Sequence, residues 1–199
     1  MINKFGAKSY DYSKPEEEIV KIAKLFKKEN IKTILDLGCG EGRHLKYLTE
    51  IGFNVYGIDI DKNAIEKLRR QLSKISNKLI VGNMNNLPYQ NNFFDAVIAN
   101  QVIYHTTKED MKKIIFEIYR ILKNKGLFFV TLQTKKNQEW RKGKKIEEWT
   151  YIASAGPDKG VIHHFIDRKE IDELFDINNL IKVYENKQGD WCILGKVIK

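Results

Sequence analysis

The 199-residue sequence is poor in the features that mark several common classes of protein. It has only two cysteines, Cys39 and Cys192, and their placement suggests neither a disulfide framework nor a zinc site. No apolar run reaches the roughly 18 residues that a membrane-spanning helix needs, and the N-terminus lacks the apolar core of a signal peptide. We therefore expect a cytoplasmic protein that binds neither a membrane nor a metal.

The charge is strongly unbalanced, with 35 Lys and Arg against 26 Asp and Glu and a net charge of +9. Such a balance favours an anionic partner such as RNA. However, only six of the basic residues are Arg, and lysine is the weaker choice for bidentate phosphate recognition and also accumulates in proteins from hot habitats. RNA therefore stays an alternative partner, after a small-molecule substrate.

The most informative stretch is residues 33–44. An apolar run, Thr33–Leu37, is followed by three glycines spaced two apart in residues 38–42 and then by an amphipathic run. This pattern predicts a strand, a tight turn and a helix. Asp36 and Glu41 flank the glycines and would repel a pyrophosphate, and the order G-x-G-x-G differs from the dinucleotide pattern G-x-G-x-x-G. A ligand that carries positive charge suits the turn better.

A second strand ends in an acid at the spacing that an adenosine ligand requires. Val55–Ile58 predicts a strand that ends at Asp59, which is 59 − 38 = 21 residues after Gly38. At about 20 residues, a strand-end carboxylate can accept hydrogen bonds from both ribose hydroxyls. Asp61 is explained by capping the next helix, whereas Asp59 is not.

Three motifs together resemble one family. Asp36–Gly42 and Gly57–Asp61 are similar to the first two motifs of class I S-adenosylmethionine (SAM)-dependent methyltransferases, and Phe94–Val97 is similar to the family's fourth strand. The resemblance covers about residues 30–198. It implies SAM as cofactor and S-adenosylhomocysteine (SAH) as product. It also implies a doubly wound α/β fold: a seven-stranded, mostly parallel sheet with helices on both faces and an antiparallel C-terminal edge hairpin.

The resemblance assigns roles to individual residues. Asp36 is expected near the methionine ammonium of SAM and Asp59 near the ribose. Asn83 and Met84 are expected at the adenine, where many relatives have an acid in place of Asn83; its amide oxygen can still accept a hydrogen bond. The predicted cofactor-binding residues are Asp36, Gly38, Cys39, Gly40, Gly42, Asp59, Ile60, Asn83, Met84 and Asn100.

Candidate catalytic residues follow the fourth strand. Tyr104 and His105 come just after Asn100, at the edge where open α/β sheets keep their ligands. The stretch lacks the prolines and the aromatic residue of nucleic-acid amino-methyltransferases, which argues against methylation of an exocyclic base amine. The resemblance implies that His105 acts as a base or orients the acceptor; a histidine that packs on the cofactor or caps a helix is the alternative.

Four residues are predicted to meet the substrate. The N-terminal arm and helix, residues 1–30, resemble a segment that folds over the active site in related methyltransferases, so Tyr10 and Tyr12 are expected to face substrate; a loose arm is the alternative. His163 and His164 are adjacent on a predicted strand and point to opposite faces, which excludes a shared metal ion. The resemblance implies that one of the pair reaches the active site.

Residues 134–165 interrupt the alternation of helices and strands and are interpreted as an insertion beside the substrate. Their basic, Trp-containing start suits RNA phosphates and base stacking, and also a solvated loop with a hairpin edge. The periodicity elsewhere predicts helices and strands of a single domain over residues 1–199. These include helices at about 15–30, 42–51, 61–76 and 107–123, and strands at 127–132, 177–184 and 191–198.

The prediction is a SAM-dependent methyltransferase that acts on a small-molecule acceptor, as a monomer or homodimer. An RNA methyltransferase of the tRNA wobble-uridine type is the first alternative. A non-catalytic SAM-binding subunit that serves a partner protein is the second.

Overall fold

The sheet that positions the site has seven strands. We describe it from a computed structural model of residues 14–136, 143–156 and 158–199; the predicted substrate residues Tyr10 and Tyr12 lie outside the described residues. The strands are β1 (Thr33–Leu37), β2 (Asn54–Asp59), β3 (Leu79–Val81), β4 (Phe94–Ala99), β5 (Leu122–Gln133), β9 (Leu180–Glu185) and β10 (Asp190–Lys196). Their order in the sheet is β3-β2-β1-β4-β5-β10-β9, and β10 runs antiparallel to the other six strands.

Helices cover both faces of this sheet, which makes a three-layer α/β fold. Phe26, Leu48 and Leu68 of the first three helices pack on one face. Met111 and Ile171 of the last two pack on the other. The helices are α1 (Glu17–Lys28), α2 (Arg43–Glu50), α3 (Lys62–Gln71), α4 (Lys108–Ile121) and α5 (Arg168–Leu174), with 3-10 turns at Ser73–Lys78 and Ile177–Asn179. The predicted fold is thus confirmed.

The predicted insertion folds as a second, three-stranded antiparallel sheet. Its strands are β6 (Gly143–Glu147), β7 (Thr150–Ala153) and β8 (Ile162–His164), in the order β6-β7-β8. A backbone hydrogen bond of 2.8 Å from His164 N to Tyr104 O joins β8 to the segment that follows β4. This small sheet therefore lies beside the carboxyl end of the main sheet.

The end of α4 differs from the prediction. The periodicity predicted a helix to Lys123 and a strand from Leu127, but α4 ends at Ile121 and β5 begins at Leu122. Leu122 is fully buried and pairs with Phe94 of β4, and its carbonyl accepts a hydrogen bond from Lys199 Nζ. Long-range partners thus satisfy backbone groups that a further helical turn would have paired, while the apolar side chain stays inside.

The helix predicted over 61–76 is shorter as well. It ends at Gln71 because Leu72 leaves the helical region, with φ −119° and ψ 58°, and a 3-10 turn follows. Ile75 in that turn is still buried, which explains why the apolar periodicity continued. The strand predicted from Ile177 also begins late, at Leu180, after a 3-10 turn.

Within the part of the chain that the structure describes, no helix is long and apolar enough to span a bilayer. The same residues contain no group of three or more His, Cys, Asp or Glu side chains arranged to hold a metal ion.

Candidate cofactor and acceptor site

The glycine-rich turn lies where the strand order reverses, between β1 and β4. Gly38 N and Cys39 N both donate to Ile58 O, at 2.9 and 3.1 Å, which folds the turn over the end of β2. Gly38 has a φ of +70°, and a Cβ there would lie 2.2 Å from Val102 Cγ2. Only glycine fits this position, because a side chain would meet both a left-handed backbone and the segment after β4.

A cleft opens beside this turn, across the carboxyl ends of β1, β2 and β3. This is the edge where doubly wound sheets hold their ligands. It brings together five of the predicted cofactor residues, Gly38, Asp59, Ile60, Asn83 and Met84, from three separate segments. The residues that line the cleft are Leu37, Gly38, Ile58, Asp59, Ile60, Gly82, Asn83, Met84 and Val102.

The Asp59 carboxylate both shapes the turn and lines the cleft. Its Oδ2 accepts a hydrogen bond from Gly40 N at 2.7 Å, and its Oδ1 accepts one from Asp61 N at 2.9 Å. Each carboxylate oxygen has a second lone pair that these bonds leave for a ligand. Asp61 itself caps α3 by accepting from Asn63 N and Ala64 N, as its sequence position predicted.

Asp36 is a buried acid with one oxygen available. Its side chain is 2% exposed, and Oδ2 has no hydrogen-bond partner among the described residues. Burial raises the pKa of Asp36 to about 7, although the guanidinium of Arg43 opposes this rise. A cation placed at Oδ2 would compensate the cost of burying this charge.

Arg43 connects the turn to α1 and to the segment after β4. Its Nη2 donates to Glu16, the residue that precedes α1, and to Gln101 Oε1 at 3.0 Å. Gln101 also hydrogen-bonds the side chain of Asp190 at the start of β10, whose pKa burial raises. The sequence prediction missed Arg43, Glu16, Gln101 and Asp190 as site residues, because their contacts join segments far apart in the chain.

The side of the cleft that was predicted to hold the adenine contains an exposed isoleucine. Ile60 is 73% exposed, which is unusual for an isoleucine at the rim of a fold. Met84 lines the cleft near it. Asn83 is exposed, and its Oδ1 accepts a hydrogen bond from Asn85 N at 2.9 Å, which leaves one lone pair and the amide protons of the side chain for a ligand.

The segment after β4 leaves the sheet by a left-handed residue. Gln101 has a φ of +55°, and its N–H donates to Thr131 Oγ1 at 2.7 Å. Asn100 is buried, and its Nδ2 has no hydrogen-bond partner among the described residues. Such an orphaned donor at the end of a strand is a candidate ligand contact.

The two candidate catalytic residues lie together and meet one of the predicted substrate residues. The ring of His105 lies 4.4 Å from that of Tyr104 and 4.6 Å from that of His163, measured between centroids. Burial raises the pKa of the Tyr104 hydroxyl. Burial, followed by the proximity of His163, lowers the pKa of His105 to about 4. All three side chains are therefore neutral near pH 7.

His164 points away from this group, as alternation along β8 requires. It is 1% exposed, with Nδ1 2.7 Å from Thr150 Oγ1 and Nε2 2.9 Å from Glu170 Oε1. Lys108 Nζ lies 3.0 Å from the same carboxylate oxygen. These contacts tie β8 to α4 and α5, so the structure places His164 in the support of the insertion and not in the cleft.

Cys39 contributes its backbone to the turn, but its side chain packs in the core beneath α2. Burial, and after it the charges of Asp36 and Asp59, raises the pKa of the Cys39 thiol. Its thiol is therefore protonated and unreactive near neutral pH.

A doubly wound sheet with an acid-lined cleft at its switch point defines a class of nucleotide- and nucleoside-binding proteins. Within that class, a family model described as a methyltransferase domain matches residues 35–130. The match shows that residues 35–130 carry a methyltransferase domain, and the chain has the fold of SAM-dependent methyltransferases.

Individual proteins show the same likeness. A protein of Methanocaldococcus jannaschii, MJ0638, is 33% identical over 119 residues, which are 60% of this chain and 48% of its own. The tRNA (carboxymethyluridine(34)-5-O)-methyltransferase of Arabidopsis thaliana is 30% identical over 58% of this chain and 30% of its own. The matched stretch thus spans half or less of these relatives. The crystal structure of a SAM-dependent methyltransferase from Clostridium acetobutylicum has a TM-score of 0.75 at 14% identity, over 96% of this chain and 94% of its own.

Proposed function

We propose that the protein binds SAM in the cleft beside the glycine turn and transfers its methyl group to a small-molecule acceptor. The observation that carries the proposal is the pair of acids at the turn: a buried Asp36 with an available oxygen, and Asp59 in the wall of the cleft. One suits an ammonium and the other a ribose diol.

The residues at and beside the cleft suit the separate parts of SAM. Asp36 would hold the methionine ammonium, Asp59 the ribose, and Ile60 and Met84 the adenine. When bound, SAM supplies a sulfonium methyl that is already reactive, so the chain's own part is to position the acceptor and exclude water.

Calorimetric titration of the purified chain with SAM, SAH and NAD tests the cofactor assignment. Micromolar binding of SAM and SAH without binding of NAD would support it. Binding of NAD alone, or of none of the three, would contradict it. Transfer of a labelled methyl group by the purified chain alone would then exclude the alternative of a non-catalytic subunit, and sedimentation of the same sample would distinguish a monomer from a homodimer.

Asp59→Ala is expected to weaken SAM binding by about 1–3 kcal/mol, roughly 5- to 150-fold, because a charged acceptor of two hydroxyl hydrogen bonds is lost. The measurement is the dissociation constant from calorimetry, after circular dichroism has checked that the variant is folded. Asp61→Ala is the matched control. It removes a carboxylate two residues away that caps α3 and does not line the cleft, so it should lower the melting temperature and leave SAM affinity unchanged. An unchanged affinity in folded Asp59→Ala would reject the ribose role.

RNA is a second candidate acceptor. A relative is named as a tRNA methyltransferase, and Lys144 and Lys145 on β6 are exposed and have no ion pair with a described residue. Against it, Lys135 and Lys136 at the start of the insertion already pair with Asp167 and Glu185.

If RNA is the acceptor, tRNA binding in a filter assay should fall steeply between 50 and 200 mM salt. The double variant Lys144→Gln/Lys145→Gln should flatten that dependence while SAM affinity stays the same. Absent or salt-insensitive tRNA binding would leave the small-molecule acceptor.

A further inference from the structure

His163 is held rigidly at the acceptor side of the site. Its neighbour His164 anchors β8 to Thr150 and Glu170, and the backbone of β8 is tied to Tyr104. His163 itself is 8% exposed and its ring meets that of His105 at 84°. The side chain thus faces Tyr104 and His105, in the segment between β4 and α4 that also contains Val102 of the cleft wall.

Gln133 at the end of β5 determines which ring nitrogen of His163 carries the proton. Its Oε1 lies 3.2 Å from His163 Nδ1, and its side chain also hydrogen-bonds the Tyr104 hydroxyl, a contact that lowers the Tyr104 pKa against the effect of burial. A donor lowers the pKa of a phenol, so the amide nitrogen faces Tyr104 and the amide oxygen faces His163. An amide oxygen only accepts, and Nδ1 therefore carries the hydrogen.

Nε2 of His163 is then the basic nitrogen, and it has no hydrogen-bond partner among the described residues. Asp158 Oδ2 lies 3.7 Å away, close enough to stabilise an imidazolium once it forms. Burial lowers the pKa of His163 and Asp158 raises it in part, so the ring is neutral and ready to accept a proton near pH 7. The other titratable groups against it are Tyr104, His105 and, across the strand pair, Tyr151.

His105 is less suited to the same task. The backbone of Ile162 and of Gln101 hydrogen-bonds its ring, although its Nδ1 has no hydrogen-bond partner among the described residues. Burial, and after it the neighbouring imidazole of His163, lowers its pKa to about 4, so His105 is a weak base. The ring of His105 packs against the ring of His163 and supports it.

We propose that His163 is the general base of methyl transfer, that Gln133 is the positioning residue that fixes its tautomer, and that the acceptor is a hydroxyl or amine that loses a proton when it is methylated. The inference rests on the proposed function. In the step, an electron pair of the acceptor oxygen or nitrogen forms the bond to the methyl carbon, the carbon–sulfur pair stays on sulfur, and His163 Nε2 takes the acceptor proton.

The charges around the site favour the same class of acceptor. Burial, and after it the carboxylates of Asp190, Asp158 and Glu16, raises the pKa of Tyr104, and Arg43 is held by Glu16 and Gln101. This excess of negative charge would repel a carboxylate or phosphate acceptor, and such an acceptor would need no base. A neutral hydroxyl or amine is not repelled, and it loses a proton that a base can take.

Nuclear magnetic resonance of the SAH-bound chain, labelled with ¹⁵N in its imidazole rings, tests the tautomer without any acceptor. His163→Gln identifies the signals. We expect an unprotonated Nε2 and a protonated Nδ1 at pH 7, mixed tautomers in Gln133→Leu, and a further fall of the His163 pKa in Asp158→Asn. A protonated Nε2 at pH 7 would overturn the inference.

Transfer of tritium from methyl-labelled SAM tests the chemistry, with a total small-molecule extract and total tRNA of the source cells as acceptors. We expect His163→Gln to slow transfer about 100-fold or more, with unchanged SAM affinity and a rate that rises with pH; His105→Gln should lose less. Transfer at the wild-type rate by His163→Gln would overturn the inference alone. No transfer by the wild-type chain would instead reject the proposed function on which it rests.

Discussion

Asp36→Asn is expected to stabilise the free protein and to weaken SAM binding at the same time. Folding raises the Asp36 pKa from 3.8 to about 7, so between these values the folded state holds a proton that the unfolded state has lost. The contribution of Asp36 to the free energy of unfolding therefore falls as pH rises through this window. At about 1.4 kcal/mol per pKa unit, the cost above pH 7 is roughly 4 kcal/mol, and the neutral Asn avoids it.

The same ionised carboxylate is what a ligand ammonium would pair with, so its loss should weaken SAM binding about 10- to 100-fold at pH 7.5. Denaturant unfolding at pH 4 and pH 8 measures the first effect, and calorimetry measures the second. The stability difference between variant and wild type should be small at pH 4 and large at pH 8. A variant that is destabilised at pH 8, or that binds SAM normally, would contradict the role of Asp36.

Asp95→Asn is the matched control, because Asp95 is also an acid in a strand, but the pKa of Asp36 is raised whereas that of Asp95 is lowered. Burial raises its pKa, but hydrogen bonds from Lys123, Thr33 N and Lys32 N outweigh burial and lower it. It lies at the start of β4, away from the cleft. Its replacement should reduce stability at pH 8 and leave SAM affinity unchanged, which is the reverse of the result expected for Asp36→Asn.

Gly38→Ala is expected to abolish measurable SAM binding and to lower stability by about 1–3 kcal/mol. The added Cβ would lie 2.2 Å from Val102 Cγ2 at a φ of +70°. Relief requires Val102 to move, and Val102 forms part of the cleft wall. The strain and the deformed cleft therefore arise from one methyl group.

Gly189→Ala separates these two effects. Gly189 has a similar φ of +86°, but a Cβ there meets nothing within 4 Å, and it lies in the turn between β9 and β10. It should lose some stability and keep full SAM affinity in the same calorimetric titration. Equal loss of affinity in both variants would mean that general destabilisation, and not the cleft, explains the result for Gly38→Ala.

Local patterns predicted the parts of the site that lie within one strand and the turn after it. The glycines, Asp36 and Asp59 stand at fixed positions relative to β1 and β2, and parallel strands bring such ends to one edge. The number of strands and the antiparallel edge hairpin followed from the resemblance to a family.

Contacts between distant segments could not be predicted in this way. Glu16, the residue before α1, pairs with Arg43 at the start of α2. Gln133 approaches His163 only because the small sheet packs beside the main one. Asp158 reaches His163 from the turn between β7 and β8. The end of α4 was misplaced for the same reason, since partners in β4 and at Lys199 decide where the helix stops.

The link between Glu16 and Arg43 has a consequence for the motions of the first helix. When α1 opens transiently, the ion pair between Arg43 and Glu16 breaks, while Arg43 stays beside the glycine-rich turn. A ligand that fixes the turn, and with it Arg43, makes that opening rarer. Amide hydrogens of α1 should therefore exchange more slowly in the SAH-bound protein, although the helix itself does not line the cleft. How often α1 opens therefore depends in part on whether a ligand occupies the cleft beside the glycine turn.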